Sequence, residues 1–378
     1  MRRALLPFVL AAPLAAQSPP DIGFGTTVRS GPIYEGYSIG AGLAFDRISE
    51  LTVPIALSQR LGSRLSVDLA TAYAHASVHA ANGSTYTLSG LVDTDIRAAL
   101  AVVPGRLIFT VVGTLPTGQQ TVPDSTLPLF GALATDFLDF TTPSFGSGGG
   151  LTAGFATATK WGGSWAVGLG ASYHYAASFT PIAGGGDLKP GNEGRARLGI
   201  EGPLGGGKYL RVAVVYTASQ HNEYGGGGGP ATTSDTSVTG DRALVYGSLS
   251  APLGRGSLSV YGFEMARLRP RAFNTTYASA IQVPRGNVLA LGVRLDRPLS
   301  PRATLSPSVE LRHELTDQGA GLALLGYLVR PGVNLRYRLS GAAAVVLQGQ
   351  LAFGAVENQG SSSSLFGRRL GVVLEWTR

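Results

Sequence analysis

Residues 302–315 read RATLSPSVELRHEL, and their side chains alternate between two kinds. The mostly apolar set is Ala303, Leu305, Pro307, Val309, Leu311, His313 and Leu315. The polar and charged set is Arg302, Thr304, Ser306, Ser308, Glu310, Arg312 and Glu314. Because successive side chains of a strand point to opposite faces, this stretch predicts a strand with one apolar and one charged face.

The same alternation recurs along the chain, at residues 65–73, 195–202, 210–218, 289–296 and 329–339. The alternating segments run about 10–15 residues, whereas strands of soluble proteins mostly have about 5–6. A tilted strand needs about 9–11 residues to cross a bilayer. The length of the segments therefore favours an all-β protein whose strands cross a membrane.

Short turns alternate with long polar connections, which is typical of a transmembrane antiparallel β-barrel with short periplasmic turns and long extracellular loops. The short turns are residues 61–63, 104–105, 162–163, 205–207, 253–255, 299–301 and 340–341. The longer loops are residues 77–86, 117–147, 179–191, 223–238, 271–285, 317–325 and 357–364. Seven short turns, with both chain ends on the turn side, predict about 16 strands, the first hairpin having a short loop at residues 46–50. If residues 17–47 lie outside the barrel, the count falls to about 14.

Composition excludes several classes of protein. The 378 residues include 54 glycines and no cysteine, and 14% of them are charged. A typical soluble domain has about 25% charged residues and about 7% glycine, so an ordinary cytosolic enzyme is not expected. The lack of cysteine excludes disulfide scaffolds, cysteine-ligated zinc and iron–sulfur clusters. The net charge of +7 comes from dispersed arginines, which predicts no nucleic-acid partner.

The N-terminus predicts export. Two arginines precede the apolar run of residues 4–16, which ends in small residues, as a cleaved signal peptide does. The sequence therefore predicts a signal peptide at residues 1–16 and a barrel at residues 38–378. Residues 17–37 are predicted to be a plug or a periplasmic arm. The predicted destination is the bacterial outer membrane, with its lipid and its assembly machinery as partners.

Aromatic residues are predicted to mark both membrane interfaces. Trp165 lies beside a short turn, and Tyr173 follows eight residues later on the same face. Eight tilted strand residues cover roughly 20 Å of the membrane normal, close to the ~25 Å apolar band of such barrels. Tyr337 and Trp376 join Trp165 on the turn side, and Tyr216 joins Tyr173 on the loop side.

The charged faces of the strands are predicted to line the lumen, because an outward arginine costs about 2–4 kcal/mol at the bilayer midplane. The predicted lumen-lining residues are Asp93, Asp95, Arg97, Arg195, Arg197, Arg211, Glu310, Arg312, Arg330, Arg336 and Arg338. Mixed charge of this kind favours ion pairs across the wall, for example with Glu310. The local group of arginines around Arg330 leaves a second interpretation open, attraction of anions.

The longest loop, residues 117–147, carries apolar side chains near helical spacing. They are Leu129, Phe130, Leu133, Phe137 and Phe140, with Leu138 among them. One interpretation is an extracellular patch that captures apolar solutes. The other is a short helix that folds inward and plugs the barrel or packs on other loops. Both would narrow the pore.

Covalent chemistry is not predicted. The five histidines lie on separate segments, and the sequence has no HExxH or GxSxG motif. A serine and a histidine on neighbouring strands would be the remaining route to catalysis. The glycine runs lack a Walker lysine, so no nucleotide site is predicted. The sequence thus names no catalytic residue, metal ligand or cofactor.

Two segments carry resemblances to known families. The outward face of the last strand, Leu370, Val372, Leu374 and Trp376, is similar to the C-terminal strand by which assembly machinery recognises outer-membrane proteins, although two residues follow Trp376. Residues 90–95, GLVDTD, and 115–118, LPTG, resemble motifs of the outer-membrane family linked to phenol degradation, with Val92 in place of a glycine. That family is related in type to the long-chain fatty-acid transporters.

The second resemblance implies passive uptake of small hydrophobic solutes across the outer membrane. A general water-filled porin is one alternative, because about 16 strands leave room for an aqueous channel. A structural or assembly barrel without transport is another. Residues 90–118 also have a purely structural interpretation. In it, Asp93 and Asp95 face the lumen and pair with Arg97 and its neighbours, and residues 116–118 only end a strand.

Overall fold

A computed structural model describes residues 25–41, 43–225, 231–238, 241–267, 287–317, 322–358 and 361–378. The strands in chain order are β1 (Thr26–Ser30), β2 (Ile33–Ile39), β3 (Phe45–Leu61), β4 (Leu65–Ala80), β5 (Thr85–Leu91), β6 (Thr94–Val103), β7 (Leu107–Leu115), β8 (Gly150–Trp161), β9 (Trp165–Ala176), β10 (Leu188–Lys189), β11 (Glu193–Gly205), β12 (Lys208–Ser219), β13 (His221–Gly225), β14 (Ala231–Val238), β15 (Arg242–Leu253), β16 (Gly256–Arg267), β17 (Asn287–Pro298), β18 (Ala303–Asp317), β19 (Leu322–Arg338), β20 (Ala343–Asn358) and β21 (Ser361–Thr377). A 3-10 turn, Asp124–Thr126, leads into helix α1 (Leu127–Leu133).

Antiparallel pairing closes the sheet into a barrel. The last strand, β21, pairs with both β1 and β2, and these two also pair with β3. They are two halves of one wall strand, as are β5 and β6, which both pair with β4. Counted this way, the described residues form a closed barrel of 16 wall strands. The prediction of 16 strands is confirmed, and the alternative of 14 is wrong.

The barrel begins earlier than the sequence predicted. It starts at Thr26 rather than at residue 38, so part of the predicted plug or arm is the first wall strand. Gly31 and Pro32 interrupt the alternation of apolar and polar residues in this strand, so the sequence does not predict it. Gly31 has a φ of +152°, and a Cβ there would lie 2.0 Å from the Val372 carbonyl oxygen. The first loop accordingly spans residues 40–44, not 46–50.

The two ends of the barrel differ as predicted. All seven short turns join the expected strands at one end, which we call the turn end. The opposite end, the loop end, carries the long connections at residues 116–149 and 177–192 and the described part of the β12–β15 connection, which includes β13 and β14. Strands β4 and β5 leave only residues 81–84 between them, so this loop is shorter than predicted. The predicted loop at 271–285 and the predicted signal peptide at 1–16 lie outside the described residues.

The barrel exposes its apolar face outward, the reverse of a soluble protein. Leu198 and Leu291 on the outer surface are 57% and 55% exposed. Their sequence neighbours point inward, since successive strand side chains alternate. Leu51, Leu169, Val293, Val309, Leu351 and Leu374 continue the outer apolar surface. A continuous exposed apolar surface on this scale marks contact with lipid or protein. Within the described ranges, no helix is long and apolar enough to cross a membrane.

Candidate functional site

The connection between β7 and β8, residues 116–149, folds into the barrel, and we call it the inner loop. Its largest side chains, including Leu129, Leu133 and Phe137, are almost completely buried. They form one apolar cluster with inward side chains of the barrel wall. The wall residues of this cluster are Tyr37, Ile39, Phe45, Ile48, Ala74, Ala76, Val78, Leu88, Leu328, Ala352, Val356 and Leu365. The inner loop therefore covers the wall formed by β2–β5 and β19–β21.

The five residues predicted to capture ligand lie in this cluster. Leu129, Phe130 and Leu133 are on helix α1, where the helical spacing predicted a helix. Phe137 and Phe140 follow the helix and are 2% and 4% exposed. Of the two interpretations of this loop, the inward-folded helix describes the structure. An exposed apolar patch is not formed by these five side chains, because folding them against the lumen wall removes them from water.

Asp93 holds the base of the inner loop. Its Oδ1 accepts a hydrogen bond from the Gly118 N–H at 3.1 Å. Its Oδ2 accepts from the N–H and the Oγ of Ser147, at 2.8 and 2.6 Å. The pairing with β4 shifts by one residue between β5 and β6, which turns Asp93 into the lumen. The two segments that resembled a family motif, 90–95 and 115–118, thus meet at the loop base.

Replacing Asp93 by alanine is expected to loosen the inner loop while leaving the barrel closed. The substitution removes three hydrogen bonds to a carboxylate, and a hydrogen bond to a charged group contributes about 1.5–3 kcal/mol. Limited proteolysis of the folded barrel in detergent checks this, through faster cleavage within residues 119–146. Asp95→Ala is the matched control, because Asp95 accepts a hydrogen bond from Thr114 of the neighbouring wall strand. Equal cleavage of both variants would contradict the anchoring role.

Two buried arginines hold the middle of the inner loop. Arg312 Nη1 donates to the carbonyl oxygens of Asp136 and Phe137, at 3.2 and 3.3 Å. Arg330 Nη2 donates to the carbonyl oxygens of Phe137 and Leu138, at 3.2 and 2.6 Å. Both guanidinium groups also lie within 4 Å of carboxylates of Glu310 and Asp139. Arg312 and Arg330, which the sequence placed in a basic group, therefore bind the backbone of the inner loop and acidic side chains.

Two buried glutamates hold the returning end of the inner loop. Glu35 Oε2 accepts from the N–H and the Oγ1 of Thr141, at 2.8 and 2.5 Å. Glu50 Oε1 accepts from the Thr142 N–H at 2.8 Å. Arg369 Nη1 lies 3.1 Å from Glu35 Oε1 and balances the charge of Glu35. We call Glu35, Glu50, Arg312 and Arg330 the loop clamp.

The sequence did not indicate either glutamate of the loop clamp. Glu35 fell in the segment predicted to lie outside the barrel, and Glu50 fell in the predicted first loop. The alternation Ile33, Glu35, Tyr37, Ile39 on the inward face was the available signal, but the break at Gly31 and Pro32 obscured it. The fold brings these residues to the inner loop from about 100 positions away, as for Glu35 and Thr141, which are 106 apart.

The remaining predicted lumen residues point inward, and most have acidic partners. Arg211 Nε lies 2.6 Å from Glu201, Arg336 Nε lies 3.0 Å from Glu375, and Arg97 lies 3.9 Å from Asp68. Arg195 lies 3.7 Å from Glu193, and Arg197 donates to the hydroxyl of Tyr246. Arg338 lies near the turn end at an inward position that pairs with Ala344. Among the described residues, no group of three or more carboxylates and histidines could hold a metal ion.

The predicted interface aromatics lie on the outer surface. Tyr337 and Trp376 are exposed near the turn end, and Tyr173 and Tyr216 are exposed near the loop end. Trp165 is half-buried, because its ring covers Gly202 of the neighbouring strand. A Cβ at Gly202 would lie 2.4 Å from the Trp165 ring.

An accessible side of the lumen faces the inner loop. Most inward positions of β8 and β9 carry small side chains: Gly150, Thr152, Gly154, Ala156, Ala158, Ala166, Gly168, Gly170 and Ser172. Larger inward side chains lie at the two ends of this row, Lys160 and His174. Beside them, the inward side chains of Arg195, Glu201 and Arg211 are 29%, 38% and 28% exposed. The lumen along this wall is therefore reached by water. We call this space the passage.

Comparison with solved structures finds large barrels over most of the chain. Pseudomonas aeruginosa OpdK aligns with a TM-score of 0.47 at 12% identity, over 94% of this chain and 99% of that chain. Pseudomonas aeruginosa OpdQ aligns with a TM-score of 0.45 at 12% identity, over 94% and 98%. OmpT, an outer membrane protein of Vibrio cholerae, aligns with a TM-score of 0.40 at 13% identity, over 94% and 98%. Likenesses this weak say nothing of what this chain does. No protein-family model matches the sequence, and no curated protein matches it.

Proposed function

We propose that this protein is an outer-membrane channel through which small solutes pass by diffusion along the passage. One observation carries the proposal: a closed barrel with an apolar outer surface encloses a charged lumen that water reaches. Only a closed barrel satisfies every backbone group of a sheet in lipid. An even strand number, short turns at one end and longer loops at the other are typical of bacterial outer-membrane barrels.

The same geometry orients the barrel in the membrane. The turn end faces the periplasm and the loop end faces outside, as in other outer-membrane barrels. Lipid contacts the outer apolar surface, and the aromatics at Tyr173 and Trp376 lie at the two interfaces. Leu370, Val372 and Leu374 face outward on β21. They support the prediction that assembly machinery recognises this strand.

The chemistry of the lumen supports the water-filled alternative among the predicted channels. The passage is lined by small residues and by ion pairs such as Arg211–Glu201. Charged walls favour polar solutes in water, because an apolar solute gains nothing from them. The apolar side chains of the inner loop are buried against the wall. The prediction of hydrophobic solutes rests on the resemblance at residues 90–118, and uptake measurements test it.

Planar-bilayer recording of the refolded chain, residues 17–378, tests the channel. The expected result is discrete conductance steps, together with liposome swelling in small sugars. Swelling in phenol without swelling in sugars would favour hydrophobic solutes. A correctly folded barrel, verified by its heat-dependent gel mobility, that gives neither steps nor swelling would overturn the proposal in favour of a structural role.

A further inference from the structure

Two arginines share a single carboxylate on the wall of the passage near the loop end, and a third arginine lies on the same face. Arg195 and Arg242 both pair with Thr217, so their side chains point inward in one row across β11, β12 and β15. Glu193 lies between them, with Oε1 3.1 Å from Arg242 Nη2 and Oε2 3.7 Å from Arg195 Nη2. Arg197 follows on the same face of β11. The three arginines and Glu193 together carry a net charge of about +2, whereas Arg211 on the same wall is balanced by Glu201.

The three guanidinium groups keep unused donors. The Nε atoms of Arg195 and Arg242 are buried and have no hydrogen-bond partner among the described residues. Arg197 donates a hydrogen bond from Nη2 to the hydroxyl of Tyr246, and its Cζ lies 5.5 Å from the centre of the Tyr246 ring. A guanidinium has five N–H donors, and since these two Nε atoms are enclosed by protein, an anion in the passage would reach the outer Nη groups instead. Hydrogen bonds from those groups to an anion would be charge-assisted and therefore stabilising.

The wall beside the arginines leaves room for a ligand. Gly170 pairs directly with Arg197, and Gly168 and Gly199 follow at the next inward positions. Ala213 continues this row on β12. Because the three glycines carry no side chain, the wall beside Arg197 is open to the passage, and Arg197 itself is exposed.

We infer that Arg195, Arg197 and Arg242, with Tyr246, form a binding subsite for the carboxylate group of small organic anions that cross the passage. The planar fork of arginine matches a carboxylate with two parallel hydrogen bonds. The Tyr246 ring adds an apolar surface for the body of an aromatic acid. Glu193 reduces the positive charge, which keeps binding weak enough for release, as conduction requires. This inference rests on the proposed channel function.

Ion selectivity and benzoate binding in planar bilayers test the subsite. Removal of charge-assisted hydrogen bonds in R195Q/R197Q is expected to weaken benzoate binding, measured from current fluctuations, at least about tenfold. The double substitution is also expected to lower the permeability of chloride relative to potassium. R197K keeps the charge but loses the fork, so it should retain the chloride preference and still weaken benzoate binding.

Arg336→Gln is the matched control, because Arg336 also lines the lumen but pairs with Glu375 near the turn end. It is expected to leave benzoate binding unchanged. Benzoate binding that is equal in the intact chain and in R195Q/R197Q, or that R336Q weakens equally, would overturn the subsite. Conductance steps in every variant show that the channel itself works. Loss of steps in the intact chain would instead refute the channel function.

Discussion

A chain without residues 119–145 is expected to conduct several-fold more current per channel than the intact protein. The inner loop fills one side of the lumen, and a barrel of about 16 strands without such a loop leaves a wide aqueous channel. The loop base permits the deletion, because its two ends adjoin. A Cβ on Gly118 would lie 1.9 Å from the Phe145 carbonyl oxygen, and one on Gly146 would lie 2.7 Å from that of Gln119.

Single-channel recording in planar bilayers measures this effect. Asp93 can still hold the shortened connection, since its partners Gly118 and Ser147 remain. Deletion of residues 226–229, which shortens a different connection, is the control and should leave the conductance near that of the intact chain. If the 119–145 deletion also conducts like the intact chain, the inner loop does not narrow the passage.

Arg330→Met is expected to release the inner loop from the wall and to destabilise the folded barrel. Arg330 is 4% exposed, and its guanidinium contacts two loop carbonyls and the Glu310 carboxylate. Arg312 still balances Glu310 and Asp139 in this variant, so the cost comes from the two lost hydrogen bonds between a charged group and the loop, about 1.5–3 kcal/mol each. We expect a lower unfolding temperature in detergent and frequent brief fluctuations of the open-channel current.

Arg97→Met is the matched control for Arg330. Arg97 also points into the lumen, but its side chain is 46% exposed and lies 3.9 Å from Asp68 on the wall. Such exposed pairs contribute only about 0–1 kcal/mol. An open channel of R330M that is as quiet as that of R97M, at the same unfolding temperature, would show that the loop clamp does not hold the inner loop.

Local patterning in the sequence predicts most of the barrel. The two-residue alternation at 302–315 defines β18, its inward Glu310 and its outward Val309, because strand periodicity depends only on neighbouring residues. The glycines at the short turns, such as Gly162 and Gly163 with φ of +57° and +81°, predict chain reversals for the same local reason. The first wall strand escaped prediction where Gly31 and Pro32 break the alternation.

The lumen was predictable only as a set of inward faces. Alternation placed Arg312 and Arg330 inside, but it left open whether they pair along the wall or attract anions. The structure contains the pairing with Glu310 and adds contacts that alternation did not predict, since both arginines also donate to backbone carbonyls of the inner loop. Alternation likewise placed Arg195 and Arg197 inside. Only the register of β11 and β15 against β12 brought Arg242 to the same carboxylate, Glu193.

The amino-acid sequence by itself determined the strand class, the turn end and the loop end, and the inward face of each strand whose alternation is unbroken. Tertiary structure alone decided where the inner loop goes. The helical spacing of Leu129 and Leu133 is equally compatible with an exposed patch and with a plug. Such spacing shows that the side chains share one face of a helix, but not what that face packs against. The partner comes from strands far along the chain: Arg330 and Leu138 are 192 residues apart. Closure of the barrel brings such residues together and gives the inner loop a surface on which to bury its apolar face.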